Sequence, residues 1–322
     1  MKLSPAFEFP PEQLRALRKA RRLEWLTIVY LLSVVVVMYF VLGSSQAMKT
    51  AWLEDILSLL PPVVFLVASR VAIRPPNQRF PYGYHRAVSI AFLVAAVTLL
   101  SMGGWLLIDA VIKLIKAEHP TIGGVHLFGQ TIWLGWLMLP ALVWSGVPAV
   151  LLGRAKLPLA SMIHDKVLYA DAEMNKADWL TALSAFVGVL GIGLGYWWAD
   201  AVAAAVISLA IIHDGYTNLR EVVTNLMDEV PKTVERTEPD RLPRRVEDRL
   251  KQFPWILDAQ VRMREEGHVY FGEAFVVVDK LSDLPARLYE ATEACAGLDW
   301  RVHDLVLVVV PALERESGAD AV

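Results

Sequence analysis

One cysteine, Cys295, stands in 322 residues, which excludes an intramolecular disulfide framework and a cysteine-based zinc finger. Phosphate-binding glycine loops, dinucleotide fingerprints and a nucleophile paired with a base are all missing, so the chain does not read as an enzyme and needs no tightly bound cofactor. There is no basic run of the kind that binds nucleic acid, and the net charge is only −3. A cleavable leader is not expected either, because residues 1–24 are largely polar and basic and offer no small-residue cleavage site before the first apolar run.

What the chain has in excess is apolar length. Hydrophobic residues make up 55% of it, too many for an ordinary soluble domain of this size, so a membrane part (25–230) and a smaller soluble part (231–312) are the natural division. Residues 1–24 read as an amphipathic basic segment lying on an anionic leaflet, and 313–322 as a loose tail. Apolar spans are expected at 25–48, 51–69, 87–108 and 127–153, then from about 159 to 195, and from 201 onward past His213 and Asp214. Pro61 and Pro62 kink the second span and free backbone carbonyls, which a membrane tolerates only inside a bundle or beside a cavity. Lysines and arginines concentrate before the first span, after the second and after the fourth, which places both termini in the cytosol.

Carboxylates interrupt this apolar pattern in two places. Glu54 and Asp55 stand near the start of the second span, where they read either as ligands or as acids complementing a helix N-terminus. The fifth span opens with Ala170-Asp171-Ala172-Glu173-Met174-Asn175-Lys176-Ala177-Asp178. On a helix Asp171, Met174, Asn175 and Asp178 share a sector of roughly 100°, while Glu173 and Lys176 point elsewhere. Carboxylates inside a membrane are functional suspects, because leaving them unpaired there costs a few kcal/mol or more.

The soluble part patterns as α-β-β-α-β, an α+β sheet with helices on one face. Leu242, Val246, Leu250 and Phe253 lie at helical spacing; strands are expected at 257–264, 268–279 and 300–310, and a second helix at 284–296.

Four local details, in this order along the chain, resemble the cation diffusion facilitator (cation efflux) family. Tyr82-Gly83-Tyr84-His85-Arg86 is similar to its Phe-Gly-His-Gly-Lys loop, and Ala170 to Asp178 to its fifth-span Ala-Asp-x-x-His-x-x-x-Asp. Trp198-Ala199-Asp200-Ala201 resembles the Ala-Asp-Ala that opens the sixth span, and Asn225-Leu226-Met227-Asp228 the Leu-Leu-Asp that closes the membrane domain. The resemblance implies six transmembrane helices followed by a small ferredoxin-like cytosolic domain. It further implies a homodimer in the plasma (inner) membrane that exchanges a divalent metal ion for protons, with the ion held between spans two and five.

On that resemblance the metal positions fall on Glu54, Ser58, Met174 and Asp178, with Asp171 as a substitute ligand and Asp55 a further one. The departure from two acids and His-x-x-x-Asp is large: oxygen donors suit Mg²⁺, Mn²⁺ or Fe²⁺, a thioether suits softer ions, and the loss of the imidazole disfavours zinc. A transport-inactive regulatory or structural partner subunit is the alternative function. The family's loop ligands fall on Asn77, Phe80 and Tyr84, and those of the cytosolic domain on Gln260 and the apolar strand at 306–310, so neither is expected to bind metal. His268 and His303 read as surface residues. Arg86 and Asp228 occupy the positions of an interhelical charge pair that relatives use at the dimer interface.

Overall fold

The computed structural model describes residues 8–119, 122–127, 130–279 and 282–313, with 127 and 130 described for backbone alone. The expected tail therefore lies outside the described residues except for residue 313. In chain order the elements are α1 (Pro11–Val41), α2 (Gln46–Leu57), α3 (Leu60–Val71), α4 (Ala87–Ile115), β1 (Gly124–Leu127), β2 (Gln130–Trp133), α5 (Gly135–Ile163), α6 (Lys166–Gly193), α7 (Trp198–Leu226), α8 (Leu242–Lys251), β3 (Ile256–Glu266), β4 (Val269–Val278), α9 (Leu284–Ala296) and β5 (Val302–Val309). They divide into two compact units: a helical one of Glu12–Arg70 with Ala87–Val223, and one that joins residues 8–11, Val71–Arg86 and the described chain from Thr224 onward.

In the helical unit α1 is a single rod. Its buried residues Leu17, Ala20, Glu24, Thr27, Leu31, Val34 and Met38 step by three and four, so one continuous stripe faces the bundle. Residues 11–24 thus belong to the first helix and do not form a separate element, because the packing stripe runs unbroken through the basic region. Leu26, Val29, Leu32, Val36 and Phe40 point outward, as residues facing acyl chains do.

The second rod is broken where its prolines require it. Pro61 and Pro62 cannot donate to the carbonyls of Leu57 and Ser58, and the helix stops at Leu57, turns through Ser58 and Leu59, and resumes as α3. Its first residue is Gln46, not Ala51, with Ser45 as N-cap. Asp200 of α7 completes that cap from outside: its Oδ1 accepts from Ser45 Oγ at 2.6 Å and from Ala47 N at 3.1 Å, and Oδ2 accepts from Gln46 N. A carboxylate at three of the first groups of a helix satisfies donors that have no partner within the helix itself.

Several expected boundaries move; the third span, for one, runs on to Ile115. β1 (Gly124–Leu127) and β2 (Gln130–Trp133) pair antiparallel, so the fourth span starts at Gly135, not 127. That span continues to Ile163, His164 takes the left-handed conformation (φ +49), and α6 starts at Lys166 behind the N-cap Asp165 instead of near 159. Among the described residues, five rods are long and apolar enough to cross a membrane: α1, α2 with α3, α4, α5 and α7. The remaining one, α6, carries Asp171, Glu173, Lys176 and Asp178 in its first half.

The α5–α6 pair is the most extensively packed in this unit. Gly146 and Gly153 allow it: a Cβ at Gly146 would lie 2.9 Å from Ala182 Cβ, and one at Gly153 would lie 2.6 Å from Ala172 O. Small residues at a helix crossing let backbones meet closely.

In the second unit the order is α8-β3-β4-α9-β5, the α+β arrangement the pattern implies, with β3 and β4 antiparallel and β4 and β5 parallel. The hairpin turn is tighter than expected. β3 runs through Glu266, and Gly267 takes φ +66 at the first central position, where a II′ turn needs glycine. Leu242, Val246 and Leu250 pack on Ile256, Tyr270, Ala274, Val276, Ala291 and Cys295.

Gly153→Val places a branched side chain against backbone and is expected to lower the thermal midpoint of the detergent-solubilised protein, by about 1–3 kcal/mol of stability or more. Gly104→Ala, where a Cβ meets nothing within 4 Å, is expected to stay within about 1 kcal/mol of the parent. Equal midpoints for the two variants would refute the close α5–α6 seam.

Candidate metal site

Glu54 and Asp55 lie nine and ten residues into α2, beyond the first turn, so they are not capping acids. Adjacent helical positions diverge by about 100°, and the two carboxylates accordingly reach different neighbours. Glu54 Oε1 accepts from Thr181 Oγ1 of α6 at 2.9 Å, and Asp55 Oδ1 accepts from Ser145 Oγ of α5 at 2.9 Å. Asp55 is buried, and its Oδ2 has no hydrogen-bond partner among the described residues.

From α6, Asp178 comes within electrostatic range of Glu54 and Asp55, and Asp214 of α7 joins the same group. Met174, one turn before Asp178, lies beside Asn218 of α7, whose Nδ2 points at the thioether sulfur at 3.8 Å. Ser58 is buried at the α2–α3 break, one turn from Glu54 and next to the carbonyls that the prolines leave without helical donors. Among the described residues, no three of His, Cys, Asp and Glu converge closely enough to hold a metal ion.

Of the residues read from sequence, Glu54 of α2 and Asp178 of α6 come within electrostatic range of each other, Ser58 follows one turn after Glu54, and Met174 one turn before Asp178 faces Asn218 of α7. Asp171 also lies within electrostatic range of Asp178, but its carboxylate is committed to a different partner. It is buried and bonded through Oδ2 to Lys156 Nζ, which also donates to Glu24 Oε2 at 2.9 Å. Its carboxylate is engaged by an ammonium, which argues against the substitute-ligand reading. Glu173 and Lys176 pair with each other at 3.3 Å on the outward side of α6, in line with the helical sector. Asp214, Thr181 and Ser145 were not singled out in the sequence. The first is a carboxylate inside an apolar span and carried a usable signal; the hydroxyls carried none.

In the second unit, Arg86 Nη2 donates to Asp228 Oδ1 at 2.6 Å, and Arg86 Nε lies 3.2 Å from Glu266 Oε1. Asp228 takes φ +61 just after α7. His268 is buried, not a surface residue, and its ring lies edge-on to Phe9. His303 and Phe271 pack against the buried His85, with ring centroids 5.4 and 5.8 Å away. Gln260 is exposed, and β5 is apolar at Val306.

Residues 24–227 match the cation efflux transmembrane domain family. The chain belongs to the cation efflux family, the cation diffusion facilitators, and is an integral membrane protein. A probable cation efflux system protein of Mycobacterium tuberculosis is 26% identical over 300 residues, 91% of this chain and 83% of that protein. The manganese efflux system protein MneS of Bacillus subtilis is 26% identical over 57% of this chain and 59% of its own length. MneP, a second manganese efflux system protein of that organism, is 24% identical over 60% of this chain and 63% of its own.

Burial holds the His85 imidazole down to about 4, with His303 and His268 adding like-charge repulsion. Between the ordinary value of 6.5 and about 4 the unfolded chain therefore binds the extra proton, so this contribution to stability is present above the window and lost as pH falls through it. It amounts to on the order of 3 kcal/mol across the whole window. Thermal unfolding of the full chain is expected to show a transition that weakens from neutral pH to about 5, and His85→Phe is expected to flatten that dependence. An unchanged pH profile in the variant would rule His85 out.

Proposed function

We propose that the chain exports a divalent metal cation, with Mn²⁺ or Fe²⁺ favoured over Zn²⁺, in exchange for protons, and that the ion is held between α2 and α6. The observation that carries this reading is the cluster of Glu54, Asp55, Asp178 and Asp214 drawn from three helices of a membrane bundle. Acids at such density in an apolar setting are kept only with cations or protons to neutralise them. We assign Glu54, Asp55 and Asp178 as ligands, with Ser58 and Asp214 flanking.

The donor set is oxygen-rich, which suits Mn²⁺ and Fe²⁺. Met174 adds little softness, since its sulfur already faces the Asn218 amide. Two manganese efflux proteins among the relatives agree with that choice of ion. Because the ligands must be deprotonated to take metal, protons arriving from the far side compete the ion off, and that competition is the coupling. The ligands stand apart in this structure, so loading closes α2 on α6, and the break at Ser58 and Leu59 supplies the hinge. The basic N-terminal half of α1 and Arg70, Arg74, Arg79 and Arg86 support cytosolic termini in a plasma (inner) membrane, with the α+β domain serving a homodimer.

A second reading, a non-transporting partner subunit, is favoured by the failure of three acids to converge among the described residues. Proteoliposomes distinguish the two. Mn²⁺-dependent proton flux is expected, and Asp178→Asn and Asp55→Asn are each expected to cut its initial rate by about tenfold or more, the equivalent of ~1.4 kcal/mol or more. Flux unchanged in both variants would sink the assignment of ligands. No flux with Mn²⁺, Fe²⁺, Zn²⁺, Co²⁺ or Ni²⁺, alongside stable dimers, would establish the partner reading.

A further inference from the structure

Arg154 and Lys156 both read in sequence as the basic flank of the fourth span, but only Arg154 is exposed. The Lys156 side chain has no exposure, and its Nζ lies between Glu24 Oε2 of α1, 2.9 Å away, and Asp171 Oδ2 of α6. Glu24 has no exposure and Asp171 2%. Glu24 Oε1 is buried with no hydrogen-bond partner among the described residues. The group thus carries two acids, one ammonium and an oxygen without a donor. Gly153, one turn earlier on α5, brings the backbones of α5 and α6 together at this level, and Asn175 Nδ2 donates to the Asp171 carbonyl at 2.9 Å.

We propose that Glu24 and Asp171 form a second cation site whose occupant is the protein's own Lys156, and that Asp171 is a positioning residue for α6 rather than a ligand of the transported ion. Only the words "transported ion" rest on the function proposed above; the second site stands on its own geometry. A tethered ammonium has an effective concentration that no dissolved cation matches, so the wild-type site excludes metal. Its single charge cannot balance two ionised carboxylates, so the second acid needs a proton or a further cation, and the unpartnered Oε1 marks that deficit. A hard divalent ion would balance both carboxylates and use that oxygen, so the site freed of its lysine takes oxygen-preferring divalent cations. In the intact protein the ammonium ties α1, α5 and α6 into one body, because separating them would leave buried charges unpaired.

The test is Mn²⁺ binding to the purified full chain in detergent, by calorimetry and by metal analysis after desalting. Asp171→Asn is expected to bind as many ions per chain as the parent, Lys156→Met one more, and Lys156→Met with Asp171→Asn no more than the parent. One ion fewer in Asp171→Asn would make that residue a ligand and overturn the proposal, as would folded Lys156→Met without an extra ion. Should Lys156→Met fail to fold without metal, Mn²⁺ present during purification is expected to rescue it and not the double variant; no rescue overturns the proposal equally. Asp178→Asn separates the two readings. If it leaves the parent stoichiometry unchanged while Lys156→Met still gains an ion, the central site falls and the second site stands.

Discussion

Charge inside an apolar bundle is the constraint from which the rest of the helical unit follows. Glu24, Glu54, Asp55, Asp171, Asp178, Asp200 and Asp214 all lie in its helices, where each needs a hydrogen-bond donor, a cation or a proton. The structure meets that need in three ways. Asp200 has backbone N–H groups and a hydroxyl at the start of α2. Asp171 and Glu24 have Lys156. Among the described residues, Glu54 and Asp55 have one hydroxyl each, and Asp55 Oδ2 has no partner. A gradient from fully compensated to barely compensated acids runs through the bundle, and the least compensated are those with most to gain from an arriving cation.

The fixed ends and the interrupted middle of the second rod belong together. Asp200 secures the first turn of α2, and Pro61 with Pro62 interrupts the ladder one turn past Asp55. A helix held at its first turn and broken just beyond its acids leaves those acids near the unsupported end of a short rod. The α5–α6 seam has the opposite character, since glycines bring backbone against backbone and leave no slack. Any slack beside the proposed site is therefore at the break in the second rod and not in the α5–α6 seam.

Most of the architecture was legible because long uncharged runs and the alternation in the soluble part are strong signals. The same face of α6 that a helical wheel marks out, with Asp171, Met174, Asn175 and Asp178, is the inward one. Boundaries failed where chemistry departed from the usual punctuation. The α5–α6 turn is made by His164 at φ +49, with neither glycine nor proline to announce it. Gly135 begins α5 inside an apolar run that includes the hairpin strand ending at Trp133, and hydrophobicity alone does not separate the two. His268 reads as a surface residue in sequence because its cover, Phe9, lies at the other end of the chain.

Lys156 shows why a site is harder to read than a fold. A lysine just beyond an apolar span is ordinarily a topology signal, and its neighbour Arg154 behaves as one. What withdraws Lys156 from that role is Glu24, more than a hundred positions earlier, whose place opposite α5 follows from the three-and-four stripe of α1. Pairing across such a distance leaves no local trace. The consequence reaches the candidate metal site, because Asp171 looks in sequence like the natural third carboxylate beside Asp178. Engaged by an ammonium, it is tied to α1 and α5, and the site we propose rests instead on Asp178 and the acids of α2. A reading of spacing alone overcounts ligands wherever an opposite charge from a distant segment has already taken one.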